Sequence, residues 1–399
     1  MELLYINNTS FLAGGGGGEE RANEITKRLA ANGHEVTVLA GKTDPELPNE
    51  TVDQGRRFRH VTCVPAFVFE YGSLGYFLSR YLFAFVSLPA VVWLLYREEF
   101  DAVVETMTPY PTFAVLAAKL FGVPIVATRH EFFDWSCYDV YDPLTATIQL
   151  IVQNFLRVFE YSAIVVPATH IKQQFMEYGV PEERLTVIPN GVEYERYRRP
   201  AIESDPGRLV VVGRLTKRKR QGRLVRVVRR LRDEGHDVRL DVAGDGPARE
   251  RLEQLVADLD LGAHVTIHGF VDEERKIELL NRAELFVFAS TQEGFGIVLL
   301  EAMAAGLPVI AKRLPVYEDF FVDGKNGALV RGEDLQTFAD AVHQLLDDGD
   351  LQRSMSKRNP ETAAQYSWET IAERTEQTIR EQCADEQRSY ASSLRGLAQ

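Results

Sequence analysis

Short apolar segments alternate along this chain with stretches whose apolar residues have helical spacing. Residues 3–6 read as a strand, a helical pattern follows and ends at Gly33, and HEVTVLA at 34–40 reads as the next strand. FDAVVET at 100–106 and VPIVATRHE at 123–131 repeat this pattern. Strands that are apolar on both faces belong to parallel sheets that helices cover on both sides. The alternation therefore predicts an α/β fold with a doubly wound parallel sheet.

The alternation starts again after a polar segment, so the chain contains a second series of strands. Its clearest strands are GRLVVVGRL at 207–215, VRLDVAGDG at 238–246 and RAELFVFAS at 282–290. A length of 399 residues also exceeds that of one ordinary domain. We predict a Rossmann-like domain at 1–190, a linker at 191–207, a second Rossmann-like domain at 208–365, a final helix at 366–385 and a flexible tail at 386–399.

Charge and cysteine content narrow the class of protein. The net charge of -13 argues against nucleic acid as a partner. Cys63, Cys137 and Cys383 are scattered and odd in number, which fits a reducing compartment better than a disulfide framework. The first residues, MELLYINN, lack the basic region of a secretory signal. We therefore expect a cytoplasmic protein.

One apolar stretch, at 81–96, bears on membrane contact. As a helix it would extend roughly 24 Å at about 1.5 Å per residue, which is short of a hydrocarbon core of about 30 Å. Arg80 and Arg97 bracket it. Five aromatic residues precede it: Phe67, Phe69, Tyr71, Tyr76 and Phe77. We predict a core helix for most of the stretch, and we expect the aromatic residues to lie at a membrane surface.

Ligands of doubly wound sheets bind beyond the carboxyl ends of the strands, so polar groups there are candidates for a site. In the first domain, Gly16, Gly17 and Gly18 belong to a glycine run between the first strand and the first helix. Their backbone N–H groups could meet a phosphate or a sugar. His130 follows a later strand. A flexible turn and a structural histidine are the alternative interpretations.

The second domain offers charged groups at two strand ends. Arg214 and Lys219 lie in a strand-to-helix turn, where they could neutralise a diphosphate without a metal. Arg223, Arg226 and Arg230 instead fit a solvated helix face. The sequence shows no convincing cluster of metal ligands, so we expect no metal.

A second strand in this domain is followed by the turn TQEGFG and by a helix. Gly294 and Gly296 would expose N–H groups at the start of that helix, where a phosphate is favoured. Glu301 could accept hydrogen bonds from two sugar hydroxyls, such as those of a ribose, and Glu293 from a transferred sugar. The alternative is that Glu301 complements the helix dipole and that Glu293 is a surface acid.

The segment EGFGIVLLEAMAAGLPVIA at 293–311, with seven residues between its two glutamates, resembles the signature of glycosyltransferase family 4. VGRLTKRK at 212–219 resembles the G-R-L-x-x-x-K pattern of the same family. The glycine run, VPIVATRHE and VIPNGVEYERY at 187–197 resemble further family segments, in the expected order. The similarity covers nearly the whole chain.

This resemblance implies the GT-B fold, with two facing Rossmann-like domains and a C-terminal helix that crosses back to the first. It implies transfer of a hexose-type sugar, with retention, from a UDP- or GDP-linked donor in the second domain. The acceptor would lie in the first domain, and no cofactor is implied. From the aromatic residues that precede 81–96, we expect this acceptor to be a lipid-linked molecule or a growing glycan. A nucleotide-sugar epimerase of the same fold and a non-catalytic nucleotide-sugar-binding subunit are the alternatives. A dinucleotide-dependent oxidoreductase would carry a G-x-G-x-x-G motif followed by an acid about twenty residues later, and this sequence lacks that motif.

The resemblance also assigns roles to residues. Glu301 would hold the ribose, Glu293 the sugar hydroxyls, and Arg214 with Lys219 the departing diphosphate. His130 would contact the sugar near the reacting carbon. Backbone groups would bind substrate at Gly16, Gly17, Gly18, Asn190, Gly294, Phe295, Gly296 and Ile297. The run of five glycines at 14–18 leaves its register open by one residue, and Arg220 replaces a common glycine.

Overall fold

The computed structural model describes residues 1–13, 16–42, 44, 46–62, 74–106, 112–135, 137–140, 143–197 and 204–397. Its contacts divide the chain into two compact units. Unit 1 comprises Met1–Asn190 and Trp368–Gln399, and unit 2 comprises Gly191–Ser367. Each unit is a doubly wound α/β domain, so the fold class that the alternation predicts is confirmed.

Within its described residues, unit 1 forms one eight-stranded sheet. The strands are β1 (Glu2–Asn7), β2 (Glu35–Gly41), β3 (Glu50–Asp53), β4 (Arg56–Val61), β5 (Ala102–Thr106), β6 (Ile125–Thr128), β7 (Ala163–Val166) and β8 (Leu185–Val187). Their order is β3-β4-β2-β1-β5-β6-β7-β8. The edge strand β3 runs antiparallel to β4, which corrects the expectation of a purely parallel sheet.

The helices of unit 1 cover its sheet. They are α1 (Gly17–Ala31), α2 (Leu74–Arg97), α3 (Ala114–Phe121), α4 (Cys137–Val140), α5 (Pro143–Gln153), α6 (Phe155–Val158), α7 (Thr169–Glu177) and, at the end of the chain, α15 (Trp368–Leu397). Leu29 of α1 and Trp368 and Ile371 of α15 are buried in one core with Leu3 and Val38 of the sheet. The C-terminal helix is therefore part of the core of unit 1.

Unit 2 has a six-stranded parallel sheet in its described residues. The strands are β9 (Arg208–Val212), β10 (Arg239–Ala243), β11 (Val265–Gly269), β12 (Leu285–Phe288), β13 (Val309–Lys312) and β14 (Gly327–Val330). The helices are α8 (Tyr194–Tyr197), α9 (Gln221–Asp233), α10 (Arg249–Asp258), α11 (Glu273–Arg282), α12 (Ile297–Ala304), α13 (Leu335–Asp347) and α14 (Gly349–Ala364).

The strand order of unit 2 fixes where a ligand can bind. The order is β11-β10-β9-β12-β13-β14, and it reverses direction between β9 and β12. In an open doubly wound sheet, the crevice for ligands lies at the carboxyl ends of the strands at such a reversal. The segments that follow β9 and β12 are therefore the first places to look for a site.

Helix α2 contains the apolar stretch at 81–96. Phe83, Val91 and Leu94 are buried on one face, as predicted for a core helix. On another face Phe85 and Tyr96 are 62% and 74% exposed. Phe67, Phe69 and Tyr71, and the side chains of Tyr76 and Phe77, lie outside the described residues. In the part of the chain that the structure describes, no helix has both the length and the apolar character that a membrane span requires.

Candidate active site

The segments after β9 and β12 are joined by hydrogen bonds at the reversal point of unit 2. The backbone N–H of Thr291 donates to the carbonyl oxygen of Arg218 at 2.9 Å, and the Thr291 hydroxyl donates to the same oxygen at 3.2 Å. Lys217–Lys219 forms a short 3-10 turn. These contacts hold the basic turn after β9 against the acidic turn after β12.

Lys219 and Glu293 form an ion pair across these two turns. Lys219 Nζ lies 2.6 Å from Glu293 Oε1, and the two side chains are only 11% and 8% exposed. The ammonium also lies 4.9 Å from the centre of the Phe288 ring. Lys219 has three N–H donors, so it can keep this contact and still donate to a phosphate oxygen.

Arg214 follows β9 and is exposed at the same end of the sheet. Partial desolvation and the positive charge of Arg218 both lower the pKa of Arg214. Two guanidinium groups close enough to repel one another create a positive potential that an anion would relieve. The end of β9 therefore suits a diphosphate.

Helix α12 begins directly after the glycine turn. Gly296 has φ of +99°, and a Cβ at this position would lie 2.7 Å from Cε1 of Tyr317. The position therefore requires glycine. The first N–H groups of a helix have no partner within the helix, and they can bind an anion there. The Phe295 ring is buried and lies 4.9 Å from the ring of Phe320, so only the backbone of Phe295 can contact a substrate.

Glu301 lies on α12 and is almost completely buried, with 3% of its surface exposed. Its Oε1 accepts a hydrogen bond from Lys276 Nζ at 2.8 Å. Its Oε2 is buried and has no hydrogen-bond partner within the described residues. Buried carboxylate oxygens are normally hydrogen-bonded, so this oxygen is suited to accept a hydrogen bond from a ligand hydroxyl.

Lys276 of α11 is a residue that the sequence analysis missed. Besides Glu301, its Nζ contacts Glu273 Oε2 at 2.9 Å and lies 5.3 Å from the centre of the Tyr197 ring. Burial alone would lower the pKa of Lys276, but Glu301 and Glu273 raise it above its usual value. Lys276 is separated from Glu301 by 24 residues, and only the packing of α11 near α12 brings the two together.

In unit 1, His130 follows β6 and lines a small cavity together with Gly18, Arg21 and Tyr5. Its Nε2 is buried without a hydrogen-bond partner in the described residues. Burial and the charges of Arg21 and Arg129 lower the pKa of His130 to about 3. The imidazole is therefore neutral at physiological pH.

An acidic side chain, that of Glu19, lies in the first turn of α1. Glu19 accepts hydrogen bonds from the backbone N–H of Gly16 at 3.1 Å and from the Thr9 hydroxyl at 3.0 Å. Gly17 and Gly18 are the first residues of α1, whereas Gly14 and Gly15 lie outside the described residues. The carboxylate of Glu19, which the sequence analysis missed, disfavours a second anion near Gly16 and favours a neutral hydroxyl.

Asn190 is held by a buried arginine. Arg21 Nη1 donates to Asn190 Oδ1 at 2.8 Å and to the carbonyl oxygen of Pro189 at 2.6 Å. Arg21 and Asn190 are 2% and 5% exposed. The side-chain oxygen of Asn190 thus has a structural role, and a substrate contact would use its other atoms.

The predicted site residues fall into two groups, one in each unit. Unit 2 contains Arg214, Lys219, Glu293, Gly294–Ile297 and Glu301, and of these Lys219 and Glu293 are in direct contact. Unit 1 contains Gly16–Gly18, His130 and Asn190. Among the described residues, no group of three or more His, Cys, Asp and Glu side chains is arranged to hold a metal ion.

Two family models match the chain. A model described as Glycosyltransferase Family 4 matches residues 15–196, and one described as Glycosyl transferases group 1 matches residues 194–362. Together they span most of the chain. The chain is also 26% identical, over 88% of its length and 90% of the relative's, to an uncharacterized glycosyltransferase from Methanocaldococcus jannaschii.

Solved structures with the same fold include two that match nearly the whole chain. Sucrose-phosphate synthase from Thermosynechococcus elongatus has a TM-score of 0.81 and 21% identity, covering 96% of this chain and 100% of that one. HepE from Anabaena, in complex with UDP-glucose, has a TM-score of 0.72 and 19% identity, with 96% and 100% covered. At these identities the likeness shows the fold alone.

Proposed function

This chain belongs to glycosyltransferase family 4 and has the GT-B fold, and we propose that it moves a hexose-type sugar, with retention, from a nucleoside diphosphate sugar to a lipid-linked or glycan acceptor. The observation that carries the proposal is that the turn after β9, which contains Arg214 and Lys219, is bonded to the turn after β12, which contains Glu293 and leads into α12 with Glu301. Arg214 and Lys219 supply positive charge, and the start of α12 supplies N–H groups, for the diphosphate of such a donor. Glu301 Oε2, which has no hydrogen-bond partner among the described residues, suits its ribose.

Each part of the donor has a partner in unit 2. We assign the departing diphosphate to Arg214 and Lys219, because charge develops on that group in the transition state. The backbone of Gly294–Ile297 would hold phosphate and sugar, and Glu293 would accept hydrogen bonds from the sugar. Glu301 Oε2 would accept a hydrogen bond from a ribose hydroxyl.

Unit 1 would supply the acceptor side. His130, which is neutral, can donate or accept a hydrogen bond near the reacting carbon without placing a second positive charge there. Gly17 and Gly18 would approach the acceptor with their backbone. Because Glu19 already lies at this helix start, a neutral acceptor hydroxyl fits here better than an acceptor phosphate.

The donor nucleotide is either a uridine or a guanosine diphosphate. HepE, which shares the fold, was solved with UDP-glucose, and this supports testing UDP sugars first. Two alternatives remain open. A nucleotide-sugar epimerase of this fold would change the sugar without transferring it, and a non-catalytic subunit would bind the donor without turnover.

The purified chain, mixed with UDP- and GDP-linked hexoses, should release the nucleoside diphosphate from one of them. Water and a short alkyl glycoside serve as acceptors, and NMR of the glycoside product reports its anomeric configuration. We expect the configuration of the donor to be retained. An epimerised donor without transfer would favour the epimerase, and tight binding without release would favour the non-catalytic subunit.

We further propose that the protein works at the cytoplasmic side of a membrane, through the exposed face of α2. Phe85, Trp93 and Tyr96 lie at helical spacing and are 62%, 48% and 74% exposed. Arg59 and Arg97 lie 5.0 and 5.9 Å from the centre of the Trp93 ring. Aromatic rings flanked by arginines are typical of helices that lie in the interface of anionic bilayers.

Vesicle flotation tests this proposal. We expect the protein to float with vesicles that contain anionic phospholipid, and to float less at high salt because the arginine contribution is screened. The double variant Phe85→Ser/Tyr96→Ser should lose most of this binding. Val52→Ser, which removes an equally exposed apolar side chain from β3, is the control. Absence of flotation at every salt and lipid composition, together with full activity on a soluble acceptor, would contradict the proposal.

A further inference from the structure

Lys276 forms an ion pair with Glu301 in unit 2, and its ammonium also contacts Glu273 and the ring of Tyr197. Its Nζ is 2.8 Å from Glu301 Oε1 and 2.9 Å from Glu273 Oε2, and its side chain is only 15% exposed. Tyr197, whose ring lies 5.3 Å from this ammonium, also donates its hydroxyl hydrogen to Glu273. These contacts hold the ammonium in one place, so it cannot follow Glu301 if that side chain turns.

A carboxylate as buried as that of Glu301 needs a compensating charge. Removing an ion from water is costly unless an opposite charge and hydrogen bonds replace the lost hydration. Lys276 supplies that charge from the protein side of the carboxylate. The carboxylate that pairs with this ammonium is 3% exposed and offers only hydrogen-bond acceptors to a ligand.

The contact also fixes the direction of the carboxylate. Oε1 is occupied by Lys276, and Oε2 remains without a partner in the residues that the structure describes. Rotation of the carboxylate would break the bond to Lys276, so the unpartnered oxygen is held in position before any ligand arrives. Groups that are positioned in advance lose less freedom on binding.

We propose that Lys276 is a positioning residue that orients Glu301 Oε2 toward the ribose diol of the nucleotide donor and thereby sets the preference for a ribonucleotide. The proposal rests on the ribose role of Glu301 in the proposed function. In this role Lys276 contacts Glu301 and not the donor. Its effect should therefore appear only for ligands that carry the ribose hydroxyls.

Calorimetry with matched ligands separates this role from a merely structural one. The probes are UDP and GDP and their 2′,3′-dideoxy analogues. We expect the wild-type chain to prefer the ribonucleotide of its own base by roughly tenfold to a hundredfold, as for a hydrogen bond to a charged group. In Lys276→Met the affinity for the ribonucleotide should fall until this preference nearly disappears. The affinity for the dideoxy analogue should stay unchanged.

Three further variants complete the test. Lys276→Arg keeps the positive charge and should keep most of the preference, and Lys357→Met, an exposed lysine on α14, should keep all of it. Glu301→Gln should lose the preference. If Glu301→Gln kept it, the ribose role of Glu301 would be wrong. If Glu301→Gln lost it and a folded Lys276→Met kept it, the role of Lys276 would be wrong.

Thermal unfolding shows which variants are folded. If Lys276→Met does not fold, Lys276→Gln replaces it, because the amide is polar enough for a buried polar site but is shorter than lysine and lacks the charge that holds Glu301 Oε1. The same selective loss of ribonucleotide affinity is expected. Equal losses for the ribonucleotide and the dideoxy analogue would show a general structural role and would overturn the proposal.

Discussion

Replacing Arg214 with alanine should lower the turnover of donor by about 10²–10³-fold. The guanidinium lies at the carboxyl end of β9, where we place the departing diphosphate, and the negative charge on that group increases in the transition state. Arg214 is exposed, so its loss should leave the free energy of unfolding nearly unchanged. Turnover from steady-state kinetics and stability from urea denaturation test both parts.

Lys219→Met should reduce turnover by a similar factor but should also destabilise the protein. Lys219 pairs with Glu293 at 2.6 Å, and both side chains are largely buried. Removing one partner of a buried ion pair costs up to about 3–5 kcal/mol, because the other charge stays buried without compensation. The double variant Lys219→Met/Glu293→Gln should therefore regain stability and remain inactive.

Arg226→Ala is the matched control for these two variants. Arg226 is an exposed arginine on α9, on the helix face that the sequence analysis assigns to solvent. Its replacement should leave turnover unchanged. The assignment also predicts that EDTA does not affect turnover, since the two cations would neutralise the diphosphate. If EDTA abolished transfer and magnesium restored it, a metal would supply that charge and the assignment would be wrong.

The elements that the sequence predicts well are those whose side chains follow one simple pattern. β1, β2, β5 and β9 are short apolar runs, and each of them was predicted from that property alone. The β3–β4 hairpin was not predicted. β4 alternates arginines with Phe58 and His60, and Arg56 is buried because Asn23, Thr26 and Asp53 accept its hydrogen bonds. Two of these partners, Asn23 and Thr26, lie 33 and 30 positions away, so local sequence does not predict this burial.

In the candidate site, too, the residues that a local pattern predicts differ from the contacts that depend on distant partners. The turn residues Gly294 and Gly296 and the acids Glu293 and Glu301 follow from local spacing, since a strand, a turn and a helix come directly after one another. The ion pairs Lys219–Glu293 and Lys276–Glu301 do not follow, because their partners are 74 and 25 positions apart. Spacing predicts which side chains reach the strand ends, and packing decides which of them pair.

Glu293→Gln is expected to separate turnover from nucleotide binding. The glutamine has nearly the same shape but carries no charge, and it accepts weaker hydrogen bonds from the transferred sugar. Turnover should fall by roughly tenfold to a hundredfold, as for the loss of a charge-assisted hydrogen bond. The affinity for the free nucleoside diphosphate should stay the same or rise, because Lys219 no longer shares its charge with an acid.

Glu301→Gln is the matched comparison, since it makes the same chemical change eight positions further along. It should weaken binding of the free nucleoside diphosphate, which contains the ribose but no transferred sugar. Calorimetry with that nucleotide and steady-state turnover, measured on both variants, give four values. The two carboxylates have different roles only if Glu293→Gln loses turnover without losing affinity and Glu301→Gln loses affinity. Equal losses of affinity in the two variants would contradict the placement of Glu293 on the sugar side.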